Sequence, residues 1–326
     1  MFIFNQRFNS LVSKFIVPLQ EYGTPYSKLR QNALRSILTE KPTNIVVNSD
    51  DSTTFYFNKA DLLKALDNDI SLFYIRSLLQ REAARNQYSN IADISTNWSI
   101  VTDYYYAFFL GGLLLRLCHK GTFYFDDSER NRLREVVSTF SGQTSYLGNN
   151  CYFTIELDDT DLEYKLTLYT SGNKTHELVW KEVSKLITEI AAMDKETSSG
   201  EYTVLKSIID LNKKMGDTFP SQLRNKVNYR PYYGLREVDK AYQPAKVIFE
   251  DSNWLYSILT YDGKKTDDDQ KIINLFAAYV RYIQALVFNL LNAYDERRGR
   301  GSGILSSINK HRINKITQPT SIYTYH

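Results

Sequence analysis

Cysteine and histidine are scarce in this sequence, which has two Cys and four His among 326 residues. Two cysteines cannot build a disulfide framework, and Cys118 and Cys151 stand among apolar or aromatic neighbours, which predicts buried thiols in a reducing compartment. The histidines lack Cys, His or carboxylate partners at metal-ligand spacing; they are His119, His176, His311 and His326. The sequence therefore predicts no metal site and calls for no cofactor.

Long apolar runs are also lacking. The run from Tyr104 to Leu115 ends at Arg116, and about a dozen residues are too few to cross a bilayer. The run from 272 to 294 is interrupted by polar residues, which are Asn274, Arg281, Gln284, Asn289 and Asn292. The first residues have no basic segment followed by an apolar core. We expect a soluble cytoplasmic protein that has no contact with a membrane.

Neither sign of charge is in large excess, since 40 Lys and Arg oppose 37 Asp and Glu and leave a net charge of +3. The distribution is uneven, because residues 297–326 carry six basic residues and no acid. The remaining residues are consequently net acidic by three charges. Any attraction for nucleic acid must come from that tail or from a local basic patch.

Apolar periodicity predicts a mainly α fold in three parts. Residues 1–93 form an N-terminal helical segment with a β-hairpin at Asn44–Val47 and Thr53–Phe57. Residues 94–296 form a helical bundle with an inserted second hairpin at about 151–170, and residues 297–326 form a basic tail. The predicted helices are 5–20, 27–38, 59–86 (as one helix or as two broken near Asp67–Asp69), 98–117, 128–140, 175–193, 205–215 and 268–294.

Two segments together resemble a known family. The first reads TDYYYAFFLGGLLLRL at 102–117, and the second reads FPSQLRNKVNYRPYYGL at 219–235. This order, an aromatic helix followed by a helix with an Arg-polar pair, is similar to the HEPN superfamily of helical bundles. Many members are metal-independent ribonucleases of prokaryotic toxin–antitoxin and phage-defence systems, and others are inactive binding modules. The resemblance implies a HEPN-like bundle that acts as a homodimer.

The resemblance assigns a catalytic role to Arg224, Asn225 and Tyr229. Arg224 matches the family's arginine and Asn225 the polar residue after it, whereas Tyr229 stands where the family has histidine. Cleaving RNA without metal needs a base, an acid and positive charge at the phosphate. Arg224 can grip the phosphate and Asn225 can orient it. Tyr229, with an ordinary pKa near 10, is a poor base but can donate a proton or a hydrogen bond.

Geometry restricts how Arg224 and Tyr229 can meet. Residues five apart on a helix diverge by about 140°. Pro231 disfavours helix at Arg230, so we expect the helix to end near Asn228–Tyr229 and the two side chains to meet at its end. Basic residues nearby and in the tail are predicted to bind RNA; they are Lys226, Arg230, Arg297, Arg298 and Arg300.

Each of these residues also has a structural interpretation. Arg224 and Asn225 could cap a helix or pair with Glu237 and Asp239. Tyr229, with Tyr232 and Tyr233, could be a packing aromatic, and Tyr104–Tyr106 are expected in the core. The Arg-Gly stretch after Glu296 could be a solvated connector.

Two function hypotheses follow. The first is a HEPN-like, metal-independent endoribonuclease of a toxin or anti-phage defence system, which acts on RNA as a dimer. The alternative is a catalytically inactive HEPN-like subunit that binds an antitoxin or another protein of a defence complex. The tyrosine at 229 favours the alternative, and the Arg224–Asn225 pair favours the first.

Overall fold

A computed structural model describes residues 33–89, 96–157, 162–193, 200–229, 248, 254–261 and 269–298. Helices dominate this part of the chain, as the sequence predicts. They are α1 (Leu34–Glu40), α2 (Lys59–Ser89), α3 (Thr96–Leu117), α4 (Asp127–Ser141), α5 (Thr175–Met193), α6 (Gly200–Met215), α7 (Phe219–Tyr229), α8 (Trp254–Leu259) and α9 (Asp269–Arg298). The predicted helix at 5–20 lies outside the described residues, as does the first half of the one at 27–38.

The two predicted hairpins form, but they are not separate insertions. Five strands make one antiparallel sheet in the order β1-β2-β5-β4-β3. Their bounds are β1 (Asn44–Val47), β2 (Thr53–Asn58), β3 (Lys120–Tyr124), β4 (Asn150–Glu156) and β5 (Glu163–Thr170). β2 pairs with β5 because both present alternate apolar side chains, such as Phe55 and Leu166, to one buried face. The segment before residue 93 thus shares its sheet with the later chain.

Several local predictions are confirmed. α5 has the predicted bounds, and α2 is one continuous helix across Asp67–Asp69. Asp126 caps α4 in a capping box, since its carboxylate accepts from the backbone N–H of Glu129 and the Glu129 carboxylate accepts from that of Asp126. The last helix runs four residues beyond the predicted Tyr294, and β3 and α8 were not predicted.

Helix α3 lies at the centre of the fold and contacts α2, α5, α7 and α9. Two glycines let its neighbours approach. A Cβ on Gly111 would lie 3.3 Å from a methyl group of Val183 in α5, and a Cβ on Gly112 would lie 2.5 Å from the ring of Phe73 in α2. The contact between α3 and α9 confirms that these two apolar helices share one core.

Asn97–Leu117 and Lys271–Tyr294 are long and apolar enough to cross a membrane by length and composition alone. Within the protein, the most apolar stretch of each helix is mostly buried, 78% of it in Asn97–Leu117 and 89% in Lys271–Tyr294. Such burial is that of core helices in a soluble protein.

Buried polar and thiol groups also occupy the core. The Arg116 guanidinium, at the end of α3, pairs with Asp69 of α2 at 2.6 Å and donates to the carbonyls of Gly112 and Thr122. Cys118 and Cys151 are buried and free, as predicted, and burial raises the pKa of their thiols to about 12 and about 11 respectively. Both cysteines therefore act as small packing residues and not as nucleophiles at neutral pH.

We expect acid to weaken the fold through His119, which lies between α3 and β3 with φ of 58°. Burial lowers the pKa of its imidazole to about 4. Because the unfolded chain takes up this proton near pH 6.5 and the folded chain only near pH 4, stability falls as the pH drops through that window. His119→Asn tolerates the left-handed backbone and cannot titrate. Urea unfolding at pH 7 and 4.5 should show that the wild type loses about 2–3 kcal/mol more than the variant. Equal losses would contradict this assignment.

Candidate active site

Arg224 lies on the outer side of α7, beside the N-terminal half of α3. Its Nη1 donates to Oδ1 of Asn225 at 3.0 Å, and its Nη2 donates to the hydroxyl of Tyr105 at 3.1 Å. Arg224 as a residue is partly exposed, although its Nε is buried and has no hydrogen-bond partner. Two polar neighbours thus hold the planar guanidinium in one orientation at the surface, where it can meet an anionic ligand.

Tyr229 is the last residue of α7, so the helix ends where Pro231 led us to expect. Its side chain is 73% exposed, and Cζ of Arg224 lies 5.9 Å from the centre of its ring. Arg224 and Tyr229 therefore share one open surface, despite their divergence on a regular helix. Neither is a core residue.

The aromatic run of α3 divides between the core and this surface. Tyr104 and Tyr106 are 1% exposed, as expected for core residues. Tyr105 is only partly buried. Cζ of Arg224 lies 5.9 Å from the centre of the Tyr105 ring, and Nη2 of Arg224 donates to the Tyr105 hydroxyl. The expectation that all three tyrosines belong to the core is wrong for Tyr105, because the helix turns it by about 100° from each neighbour and towards α7.

A histidine that the sequence does not connect to Arg224 lies in the same place. His176 belongs to the first turn of α5, and its ring is 6.0 Å from the ring of Tyr105 and 4.6 Å from that of Phe108. Its side chain is partly exposed. Tyr105 thus contacts both the guanidinium of Arg224 and the imidazole of His176.

Hydrogen bonds fix the imidazole. Nδ1 of His176 lies 2.9 Å from the hydroxyl of Tyr104, which also accepts from the indole N–H of Trp180 at 3.2 Å. Burial raises the pKa of Tyr104 to about 12, so this hydroxyl keeps its proton at neutral pH. The Tyr104 hydroxyl can donate a hydrogen bond to an unprotonated Nδ1 or accept one from a protonated Nδ1. With Nδ1 engaged, Nε2 is the ring nitrogen available to a ligand.

Burial and the positive charge of Arg224 both lower the pKa of His176 below its ordinary value of 6.5. The imidazole is accordingly neutral at pH 7, which is the state that a general base requires. The four side chains Tyr104, Tyr105, His176 and Arg224, with Asn225 and Tyr229 beside them, are here called the Arg–His site.

Of the predicted RNA-binding residues, Lys226 lies partly exposed on α7. Arg297 and Arg298 are the last residues of α9, and nothing further is described of their side chains. Arg230 and Arg300 lie outside the described residues. So do Glu237 and Asp239, the acids of the structural interpretation of Arg224.

The Arg–His site brings together a fixed cation, a neutral imidazole and tyrosine hydroxyls at one surface. A fixed guanidinium stabilises negative charge that develops on a phosphate, and an imidazole exchanges a proton near neutral pH. This set suits proton transfer beside a phosphodiester. No family model matches the chain, and neither any curated protein nor any solved structure is significantly similar to it.

Proposed function

We propose that the protein is a HEPN-like, metal-independent endoribonuclease and that the Arg–His site cleaves RNA. The observation that carries this proposal is geometric: Nδ1 of His176 lies 2.9 Å from the hydroxyl of Tyr104, and the ring of Tyr105 contacts both His176 and the guanidinium of Arg224. The proposed reaction needs a base and a cation at one phosphodiester, and the site contains both. His176 thereby takes the role that Tyr229 would otherwise have to fill.

In the proposed reaction, Arg224 binds the scissile phosphate through the N–H groups of Nη1 and Nη2 that Asn225 and Tyr105 do not occupy, because its Nε is buried. His176 Nε2 takes the proton of the 2′-hydroxyl, and the 2′-oxygen bonds to phosphorus. The bond from phosphorus to the 5′-oxygen then breaks, and this oxygen takes a proton from solvent. The products are a 2′,3′-cyclic phosphate and a 5′-hydroxyl. Arg224 acts on the negative charge that grows on the phosphate during this step.

The experiment is a cleavage assay in EDTA with purified protein and a labelled RNA strand. Cleavage should yield 2′,3′-cyclic phosphate ends, and a DNA strand of the same sequence should stay intact because it has no 2′-hydroxyl. Transfer and messenger RNA that remain whole over hours, with a partner protein added if one is found, would contradict the nuclease. The alternative function, an inactive subunit that binds a partner protein, would then stand.

One observation favours that alternative. Tyr229 is 73% exposed, and large exposed aromatic side chains are favoured at protein interfaces. On this hypothesis α7 forms a docking surface, and Arg224→Ala weakens partner binding while no RNA is cleaved. We place either function in the cytoplasm, as part of a prokaryotic toxin or anti-phage defence system, on the resemblance of 102–117 and 219–235 to HEPN proteins.

We expect Tyr229→Phe to keep the cleavage rate within about threefold, because the ring contact with Arg224 survives and His176 handles the proton. Tyr229→Ala should lower the rate by about two- to fivefold, since a surface cation–π contact contributes about 0.5–1 kcal/mol. Initial rates on one RNA strand measure both. A hundredfold loss in Tyr229→Phe would instead make its hydroxyl the proton donor.

The protein is further proposed to be a homodimer in which the exposed end of α7 lies near the two-fold axis. The support is the HEPN resemblance and the exposure of Tyr229 beside Arg224. Light scattering at micromolar concentration should give twice the chain mass of 37.9 kDa. A mass of one chain across this range would contradict a shared site.

A further inference from the structure

A second cleft lies at the opposite end of α3 from the Arg–His site. It has a volume of about 410 Å³ and opens between α1, α2, β3 and α4. Four arginines line it, and we call it the arginine cleft; they are Arg35, Arg76, Arg116 and Arg132. Clefts of this size hold small organic ligands. Because Tyr105 and Arg116 are eleven residues apart on α3, the two sites are about 16 Å apart along the helix axis.

Two of the four arginines have carboxylate partners within the cleft. Arg116 pairs with Asp69, and Arg35 pairs with Glu129, which also accepts from the backbone N–H of Asp126. These contacts occupy the carboxylates of Asp69 and Glu129, both of which line the cleft. Arg35 and Arg116 therefore bring little unbalanced charge to a ligand.

The other two arginines are different. Arg76 and Arg132 are both exposed, and neither forms an ion pair with any residue in the described part of the chain. Arg76 lies over the rings of Phe73 and Phe109, with Cζ 6.0 and 5.8 Å from their centres. The rings orient its guanidinium without neutralising it. Glu40 also lines the cleft, and its single negative charge can balance only one of these two arginines.

The walls of the cleft are aromatic. The Arg116 guanidinium lies over the ring of Phe73, with Cζ 3.7 Å from the ring centre. Phe123 and Phe125 pack together with ring centres 5.6 Å apart. Tyr124 adds a ring that is 50% exposed. Phe123 and Phe125 are buried and Arg116 covers a face of Phe73, so Tyr124 is the most exposed of these rings, and a flat ligand ring can stack on its face. The two unpaired arginines suit a phosphate, whose oxygens accept from guanidinium groups.

We propose that the arginine cleft binds a mononucleotide, with the base against the ring of Tyr124 and the phosphate on Arg76 and Arg132. Ser36 and Thr39 line the same cleft, and the Thr39 hydroxyl, which donates to the carbonyl of Ser36 at 3.4 Å, can still accept a hydrogen bond from a ribose hydroxyl. This proposal does not depend on RNA cleavage, since no residue of the arginine cleft belongs to the Arg–His site.

Calorimetric titration of the full chain with AMP, GMP, CMP and UMP tests the proposal. We expect at least one to bind with a dissociation constant well below about 1 mM, and adenosine or the matching nucleoside and inorganic phosphate each to bind at least about tenfold more weakly. Arg76→Ala and Arg132→Ala should each weaken the mononucleotide by about tenfold or more, because each removes a charged hydrogen-bond donor. Both side chains are exposed, so thermal melting should show that the variants fold like the wild type.

Arg85→Ala serves as the matched control, because it removes an exposed arginine of α2 that does not line the cleft. It should not change mononucleotide affinity. Arg224→Ala, which removes the cation of the Arg–His site, reports whether the nucleotide binds there instead. The proposal is overturned if none of the four mononucleotides binds, if inorganic phosphate alone binds as tightly, or if Arg224→Ala weakens binding while Arg76→Ala and Arg132→Ala do not.

Discussion

Arg224→Ala is expected to lower the rate of RNA cleavage by about 10²–10³-fold, because it removes the positive charge that faces the reacting phosphate. The fold should survive, since the Arg224 side chain is partly exposed and its partners Tyr105 and Asn225 can turn to water. Single-turnover rates in EDTA measure the loss. Circular dichroism and thermal melting of the same samples measure the fold.

Arg224→Lys sharpens this prediction. Lysine keeps the charge but cannot reproduce two parallel donors held by Asn225 and Tyr105. We expect a rate between those of the wild type and Arg224→Ala. Arg85→Ala is the matched control, since it removes an exposed arginine of α2 that is not part of the Arg–His site, and its rate should equal that of the wild type. Equal rates for wild type and Arg224→Ala would remove Arg224 from the mechanism.

His176→Ala should lower the cleavage rate by about 10²–10⁴-fold, the usual contribution of a general base. In the wild type, activity should fall as the pH drops through a pKa below 6.5, because protonation removes the base. Since the charge of Arg224 is one cause of that low pKa, Arg224→Ala should move the pKa of His176 upward. NMR titration of the imidazole detects this shift without any need for activity.

His119→Asn is the control for His176→Ala, because His119 lies between α3 and β3 and takes no part in the Arg–His site. Its cleavage rate at pH 7 should match the wild type. A pKa of His176 that does not change in Arg224→Ala would place the two side chains out of electrostatic reach. That result would break the link on which the proposed function rests.

Most of the helical framework could be predicted from the sequence because its signals are local. The apolar period and polar flanks of Thr175–Met193 define α5, and Asp126 with Glu129 marks the start of α4. The joining of two hairpins into one sheet could not be predicted, because an alternating strand shows which of its faces is buried but not which strand lies beside it. β3, with five residues directly after a long helix, is too short for its alternation to be distinctive.

The Arg–His site could be predicted only in part for a related reason. Arg224, Asn225 and Tyr229 are near neighbours in the sequence, so a motif finds them. His176 comes from another helix, and packing of α3 against both α5 and α7 brings it to Arg224. A search for histidine at fixed spacing after arginine cannot detect such a partner. The sequence contained one signal of this partner, because His176 stands at the start of a helix and Trp180 follows four residues later. In the structure both side chains form hydrogen bonds with the hydroxyl of Tyr104.

The most direct test of the account is a double-mutant cycle on Arg224 and His176, with single-turnover cleavage of one RNA strand in EDTA. Residues that act as one catalytic unit give losses that do not add. We expect Arg224→Ala, His176→Ala and the double variant to be impaired to similar extents, all at least a hundredfold below the wild type. Independent, additive losses would contradict a single Arg–His site, and a wild type that leaves the RNA intact would contradict the nuclease itself.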